Sequence, residues 1–185
     1  MGFFALGVIV LVVIFGVGIY NNLIRSRNRV DQAFSTIEVQ LTQRYDLIPK
    51  LVETVKQYMG HERGLLEDIV RLRQKAVSST TPSDKIQADN ELSRAMGQLN
   101  VTMENYPQLK ASDQFVMLQR SLNEVEEQLA AARRSYNAAV TDYNNSVQTF
   151  PSSLIANSMS FGLRQTFVAE EGKRKDVDVK ALFKA

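Results

Sequence analysis

His61 and Glu62 are the first residues to test for chemistry. A His-Glu pair opens the H-E-x-x-H pattern, in which two histidines one helical turn apart hold zinc and the glutamate serves as general base. The second histidine would stand at position 65, which is Leu65, and the chain has one histidine in all. The pattern therefore fails. Zero cysteines exclude disulfides, iron–sulfur clusters, thiolate zinc sites and thiol nucleophiles. A di-iron bundle would need two E-x-x-H motifs, and no phosphate-cradling or nucleophile-elbow glycine string occurs. The expectation is a protein that is not an enzyme, with no catalytic residue, no metal ligand and no cofactor.

Other residues stand out for structural chemistry. Arg27 and Arg44 interrupt an otherwise apolar helical seam. An unpaired charge there is costly, so Arg44 should snorkel outward or meet a carboxylate. Glu126, on a helix running antiparallel, is one candidate partner, and such a pair would set helix register. Tyr-Asn pairs recur at 20–21, 136–137 and 143–144. Tyr136 and Tyr143, one heptad apart, read as core-facing aromatics whose hydroxyls reach the rim; stacking on a small ligand is the alternative reading.

The elements that position these residues follow from hydrophobic periodicity. Tyr20, Leu23, Val30, Phe34, Ile37, Leu41, Ile48, Leu51, Val55 and Tyr58 recur at three- and four-residue spacing. The phase survives Gly60 through Leu65, Ile69, Leu72 and Ala76. A second segment uses Leu92, Met96, Leu99, Met103 and Tyr106 between Pro82 and Pro107; a third runs from Phe115 to Tyr143, with Ser112 as N-cap and Pro151 beyond its end. The fold class is all-α. A reversal near Gly60 gives helices over 22–59, 61–77, 83–106 and 112–149 in an up-and-down four-helix bundle. Pro49 can instead kink the first helix, and Asp46 could cap a new one within the string DLIP.

Ahead of the bundle, Phe3 to Tyr20 forms an uncharged run of 18 residues, whose helical rise of about 27 Å approaches the roughly 30 Å hydrocarbon core. It reads as an uncleaved transmembrane anchor over 1–20, because no basic residue precedes it and no A-x-A-like site follows. Arg25, Arg27 and Arg29 follow the run directly, so the positive-inside rule places the body, residues 21–150, in the cytoplasm. After Phe150-Pro151 the pattern changes. Residues 151–185 read as a separate tail, extended or weakly stranded, with a short alternation at Val177 and Val179. Its Leu154, Ile155, Phe161, Leu163, Phe167, Val177, Val179, Leu182 and Phe183 are too many large apolar groups for a solvating tail, so they need a cover, either the chain's own bundle or a neighbouring subunit. The balance of 22 Lys+Arg against 20 Asp+Glu, a formal +2, is no signature of nucleic-acid binding.

The chain resembles the LemA family through YNNLIRSRNRV at 20–30, QLTQRYDLIPKLVETVKQY at 40–58, ENYPQLKA at 104–111, ARRSYNAAVTDYN at 132–144 and FPS at 150–152. Phe34 stands where the family commonly has Trp, and Lys50 where Asn is usual. The resemblance implies a bacterial single-pass membrane protein with a cytoplasmic helical bundle and no established catalytic activity. It also implies an association with HtpX-like membrane metalloproteases or, in magnetosome-forming bacteria, with organelle membranes. The resulting expectation is a scaffold or adaptor in the inner membrane that contacts lipid and forms homo-oligomers. An accessory subunit of a membrane protease and a small-ligand sensor are the alternatives.

Overall fold

One uninterrupted helix, α1 (Gly2–Lys56), carries both the apolar run and the first seam of the bundle. Gly7, Gly16 and Gly18 lie within the run without interrupting the helix, as glycines do in helices of this apolar kind, and nothing between Gly18 and Pro49 breaks the ladder. The computed structural model describes residues 1–167. Every side chain from Phe3 to Phe15 is exposed, whereas Leu23, Val30, Phe34, Ile37, Leu41, Ile48, Leu51 and Val55 are buried. The same helix changes its surroundings from none to a packed core within two turns of Tyr20.

Pro49 lies inside α1 without ending it, and Asp46 caps nothing: it is exposed and faces Arg73 at 4.0 Å. The continuity has a chemical reason. Proline has no N–H to offer the carbonyl four residues earlier, which is that of Tyr45. Arg73 Nε donates to this oxygen from the neighbouring helix at 2.6 Å, replacing the donor that Pro49 removes. The chain reverses later, over residues 57–62, where the amides of Tyr58 and Met59 both donate to Val55 O. It then returns as α2 (Arg63–Ser78).

A short Ser-Thr link leads to α3 (Pro82–Thr102), whose start has the Pro and the capping oxygen that helix entry favours. Thr81 Oγ1 accepts from the Asp84 amide at 3.1 Å. A 3-10 turn at Met103–Asn105 and a one-turn helix, α4 (Pro107–Lys110), reverse the chain again into α5 (Asp113–Gln148). The long pair α1 and α5 forms the main packed seam, and α2 and α3 form a second hairpin against it. The core runs from Leu23 and Val147 at one end to Met59 and Leu109 at the other.

The tail is not wholly extended, and it is not separate from the bundle. It begins with a helix, α6 (Ser152–Ser158), that packs on α1 and α5, with Ala156 fully buried. A left-handed Ser160 (φ 56°) ends α6 in a Schellman turn, with the Phe161 amide donating to Ala156 O at 2.9 Å. Residues 161–167 then run without regular structure along α5, and the described residues contain no strand. The Val177–Val179 alternation, with Leu182 and Phe183, lies outside the described residues.

Candidate functional site

The level of Arg44 is where α1, α3 and α5 face one another, and there the seam is polar. Arg44 is buried, 3% exposed, and Asp89 on α3 is fully buried beside it. Arg44 Nη1 donates to Asp89 Oδ1 at 2.7 Å and to Ser93 Oγ at 2.9 Å. Glu126 Oε1 on α5 lies 2.6 Å from Arg44 Nε, a close ion pair rather than an aligned hydrogen bond. Arg133 on α5 takes the other oxygen of Asp89. Two guanidinium groups and two carboxylates therefore balance within one layer, in which the buried Arg44 and Asp89 are flanked by the partly exposed Arg133 and Glu126.

Tyr45 extends this layer. Its hydroxyl is buried and has no hydrogen-bond partner among the described residues. Burial pushes the phenol's pKa well above its ordinary value, and the neighbouring Asp89 charge pushes it further, against the opposing pull of Arg44 and Arg133.

Above the network, α3 and α5 stand apart instead of packing, and a cleft of about 490 Å³ opens between them. Arg44, Arg133 and Glu126 are among its lining groups, with Asn90 on α3, Asn123 on α5 and Phe167 at its rim. Its volume falls within the range of small-molecule sites, although it is an open cleft lined by charged and amide side chains rather than an enclosed apolar pocket. Among the described residues, no three His, Asp or Glu side chains converge as metal ligands. His61 is exposed in the α1–α2 turn.

The Tyr-Asn pairs of α5 place their rings in the core, as expected, and turn their polar atoms to the tail. Tyr136 and Tyr143 are buried, and Tyr136 lies against Phe34 and Phe167 at ring centroid distances of 5.6 Å each. Their hydroxyls, however, donate to the tail backbone: Tyr136 to Gln165 O at 3.0 Å and Tyr143 to Gly162 O at 2.9 Å. Burial raises the Tyr136 phenol above its usual pKa. Asn137 and Asn144 each grip one tail residue through both amide atoms. Asn137 gives Nδ2 to Phe167 O and takes the Phe167 amide on Oδ1 (2.9 and 2.8 Å); Asn144 does the same with Arg164, at 2.9 Å each. One heptad of α5 rises about 10.5 Å, matching three residues of extended chain, so the repeat reads tail backbone at positions 164 and 167.

The structure thus brings Arg44, Glu126, Tyr136 and Tyr143 to the α5 side of the bundle and leaves Asp46 and Pro49 at the α2 side. Arg27 is separate from both, stacked 5.7 Å over the Phe161 ring near the membrane end. Sequence reasoning did not single out Asp89 or Arg133, and it noted Asn137 and Asn144 within the Tyr-Asn pairs without giving them a role. An acid at position 89 on the same helix face as Leu92, Ala95 and Met96 was the available signal for the first.

The LemA family model matches residues 33–181. The chain belongs to the LemA family. It is 29% identical to Protein LemA of Metamycoplasma hominis over 170 residues, covering 90% of this chain and 76% of that protein. It is also 31% identical over 80 residues to magnetosome protein MamQ 2 of Paramagnetospirillum magneticum, and 28% identical over 74 residues to MamQ of Magnetospirillum gryphiswaldense. These two matches cover 43% and 40% of this chain but only 29% and 27% of the MamQ proteins. LemA membership and an N-terminal helix long and apolar enough to cross a bilayer fit a membrane-anchored helical protein.

Proposed function

We propose that this LemA family member is a non-enzymatic, single-pass scaffold or adaptor of the bacterial inner membrane, self-assembling or organising partners at the cytoplasmic face. The observation that carries the reading is the unbroken α1, in which the apolar run passes without a joint into the longest seam of the bundle. A rigid stem holds the body at a fixed distance and orientation from the bilayer, which suits a protein that positions others. Arg25, Arg27 and Arg29 at the exit of the run support the cytoplasmic side. Confinement to one plane raises the effective concentration of subunits and favours homo-oligomers.

Purification of the full chain from mild detergent with native mass measurement tests the reading. A homomeric species larger than the monomer is expected. A stoichiometric membrane protease would make the protein an accessory subunit instead. The polar cleft favours a second reading, a small-ligand sensor, for which a reproducible small-molecule adduct is the expected result. Active alkaline phosphatase fused at the C-terminus would overturn the orientation.

A further inference from the structure

Helix α6 and the residues flanking it carry both buried and exposed apolar side chains. Ala156 is buried, and Ile155 and Phe161 pack partly buried against the core. Outward, Phe150, Leu154, Met159 and Leu163 are 75%, 64%, 61% and 56% exposed. Four large apolar side chains within 14 residues make a patch that needs a partner. The place of the patch says which. Ile155 Cδ1 lies 3.9 Å from where a Cβ on Gly16 would stand, inside the apolar run of α1. The Phe161 ring meets Tyr20 edge-on at 6.0 Å between centroids. The foot of the bundle is therefore level with Gly16 to Tyr20, the last turn of the run.

If Phe3 to Tyr20 spans the hydrocarbon, that turn sits at the boundary between acyl chains and headgroups. We propose that α6 and its flanks form a second membrane-contacting element, lying in this boundary with Phe150, Leu154, Met159 and Leu163 turned into lipid. The proposal rests on the reading of α1 as a membrane anchor. Exposed apolar side chains run back along α1 from Tyr20 through Val17 into the run, and the approaches of Ile155 to Gly16 and of Phe161 to Tyr20 put the patch at the same level, within reach of the same lipid. The polar residues of α6 are uncharged serines and an asparagine, which tolerate the headgroup layer. Arg25 and Arg29, both exposed, follow on α1 beyond this level and suit anionic headgroups. Interfacial helices place their apolar face about 5–10 Å into this boundary. The body would then stand on two supports, a stem and a foot, which fix its rotation about the α1 axis as well as its height.

The absence of cysteine makes the test clean. Full-length chains carrying Leu154→Cys, Met159→Cys, Met117→Cys or Val12→Cys are labelled with an environment-sensitive fluorophore and reconstituted into vesicles of zwitterionic and anionic phospholipid. Met117 is exposed near the opposite end of α5, about 45 Å away along the helix, and reports water; Val12 reports the span. Labels at 154 and 159 are expected to be quenched by spin labels placed shallowly in the acyl chains, and to resist aqueous iodide several-fold better than the label at 117. Labels at 154 and 159 that behave like 117, while 12 is quenched from lipid, would overturn the foot and leave the anchor standing. Loss of lipid quenching at 12 as well would overturn the anchor, and the foot with it. Shielding of 154 and 159 from both quenchers would assign the patch to a protein neighbour and reject the lipid contact.

Discussion

Arg27 and Arg44 interrupt the same seam of the same helix, and the bundle treats them in opposite ways. At the level of Arg44, three helices enclose the guanidinium; it is buried and bound to Asp89, Ser93 and Glu126. At the level of Arg27, the neighbours are the end of α5 and the tail, and the guanidinium lies half-buried over Phe161. A long basic side chain at a helix seam is thus a core residue or an edge residue according to how many elements surround it. The first carries a large desolvation cost that only its partners offset, whereas the second keeps water and adds a modest cation–π contact.

This comparison breaks most directly at Arg44. Arg44→Ala leaves the fully buried Asp89 with Arg133 alone, while Glu126 keeps its access to water, with an expected loss on the order of 3–5 kcal/mol in thermal or urea unfolding of the full chain. Arg27→Ala, and Arg25→Ala with it, should lose about 1 kcal/mol or less. Equal melting temperatures for the Arg44 and Arg27 variants would remove the distinction.

The next effect concerns Arg73, another guanidinium that answers a local defect. Arg73→Ala leaves Tyr45 O without the donor that Pro49 cannot supply, an expected cost of about 1–3 kcal/mol. In a Pro49→Ala background the backbone amide returns, and the same substitution should cost clearly less. A double-mutant cycle with no coupling would refute the compensation.

At the membrane-proximal end, Asn137→Ala with Asn144→Ala removes four hydrogen bonds to the tail, each worth about 1 kcal/mol net. The amides of Arg164 and Phe167 should exchange with solvent far faster in the double variant, while the amides of the α1–α5 seam keep their protection. Unchanged exchange at 164 and 167 would mean that the asparagines do not hold the tail.

The smallest effect sharpens the polar layer. Tyr45→Phe removes a buried hydroxyl without a partner and should leave stability at neutral pH unchanged or raise it by about 1 kcal/mol. The alkaline limb follows from the raised pKa. In the unfolded chain tyrosine ionises near pH 10, whereas in the bundle it stays protonated to higher pH. The folded form's advantage is complete below about pH 10 and is lost as the pH climbs toward the folded value. The phenylalanine variant should therefore lose less stability above pH 10 than the parent, in unfolding followed across that range.

Much of the scaffold was legible because it is local. Apolar spacing marked the seam residues of α1 and α5, Pro82 marked the start of α3 and Pro107 its stop, whereas the one-turn helix that Pro107 opens was read as a connector. Pro49 was ambiguous, since whether a proline ends a helix depends on a donor from elsewhere, here Arg73. The tail read as separate because its short helix has too few residues for a periodic signal. The Tyr-Asn repeat was visible, but its aromatic half drew attention away from the amides that hold the tail.

The sequence by itself determined an uncharged run long enough to cross a bilayer, a helical period carried from it into an all-α body, and an arginine in a seam that had either to snorkel outward or to meet a carboxylate. Only the tertiary structure decided that Asp89 and Arg133 join Glu126 around that arginine, that α3 and α5 part to leave a cleft, and that the tail returns to the foot of the bundle. The physical reason is range. Helix formation is set by residues three and four apart, whereas charge partners and tail contacts lie 29 to 82 positions apart in the two sets that matter most, Arg44 with Asp89 and Glu126 and α5 with 165–167. The turns at 57–62 and 79–81 fix which faces meet, and no periodicity within a single helix records that choice.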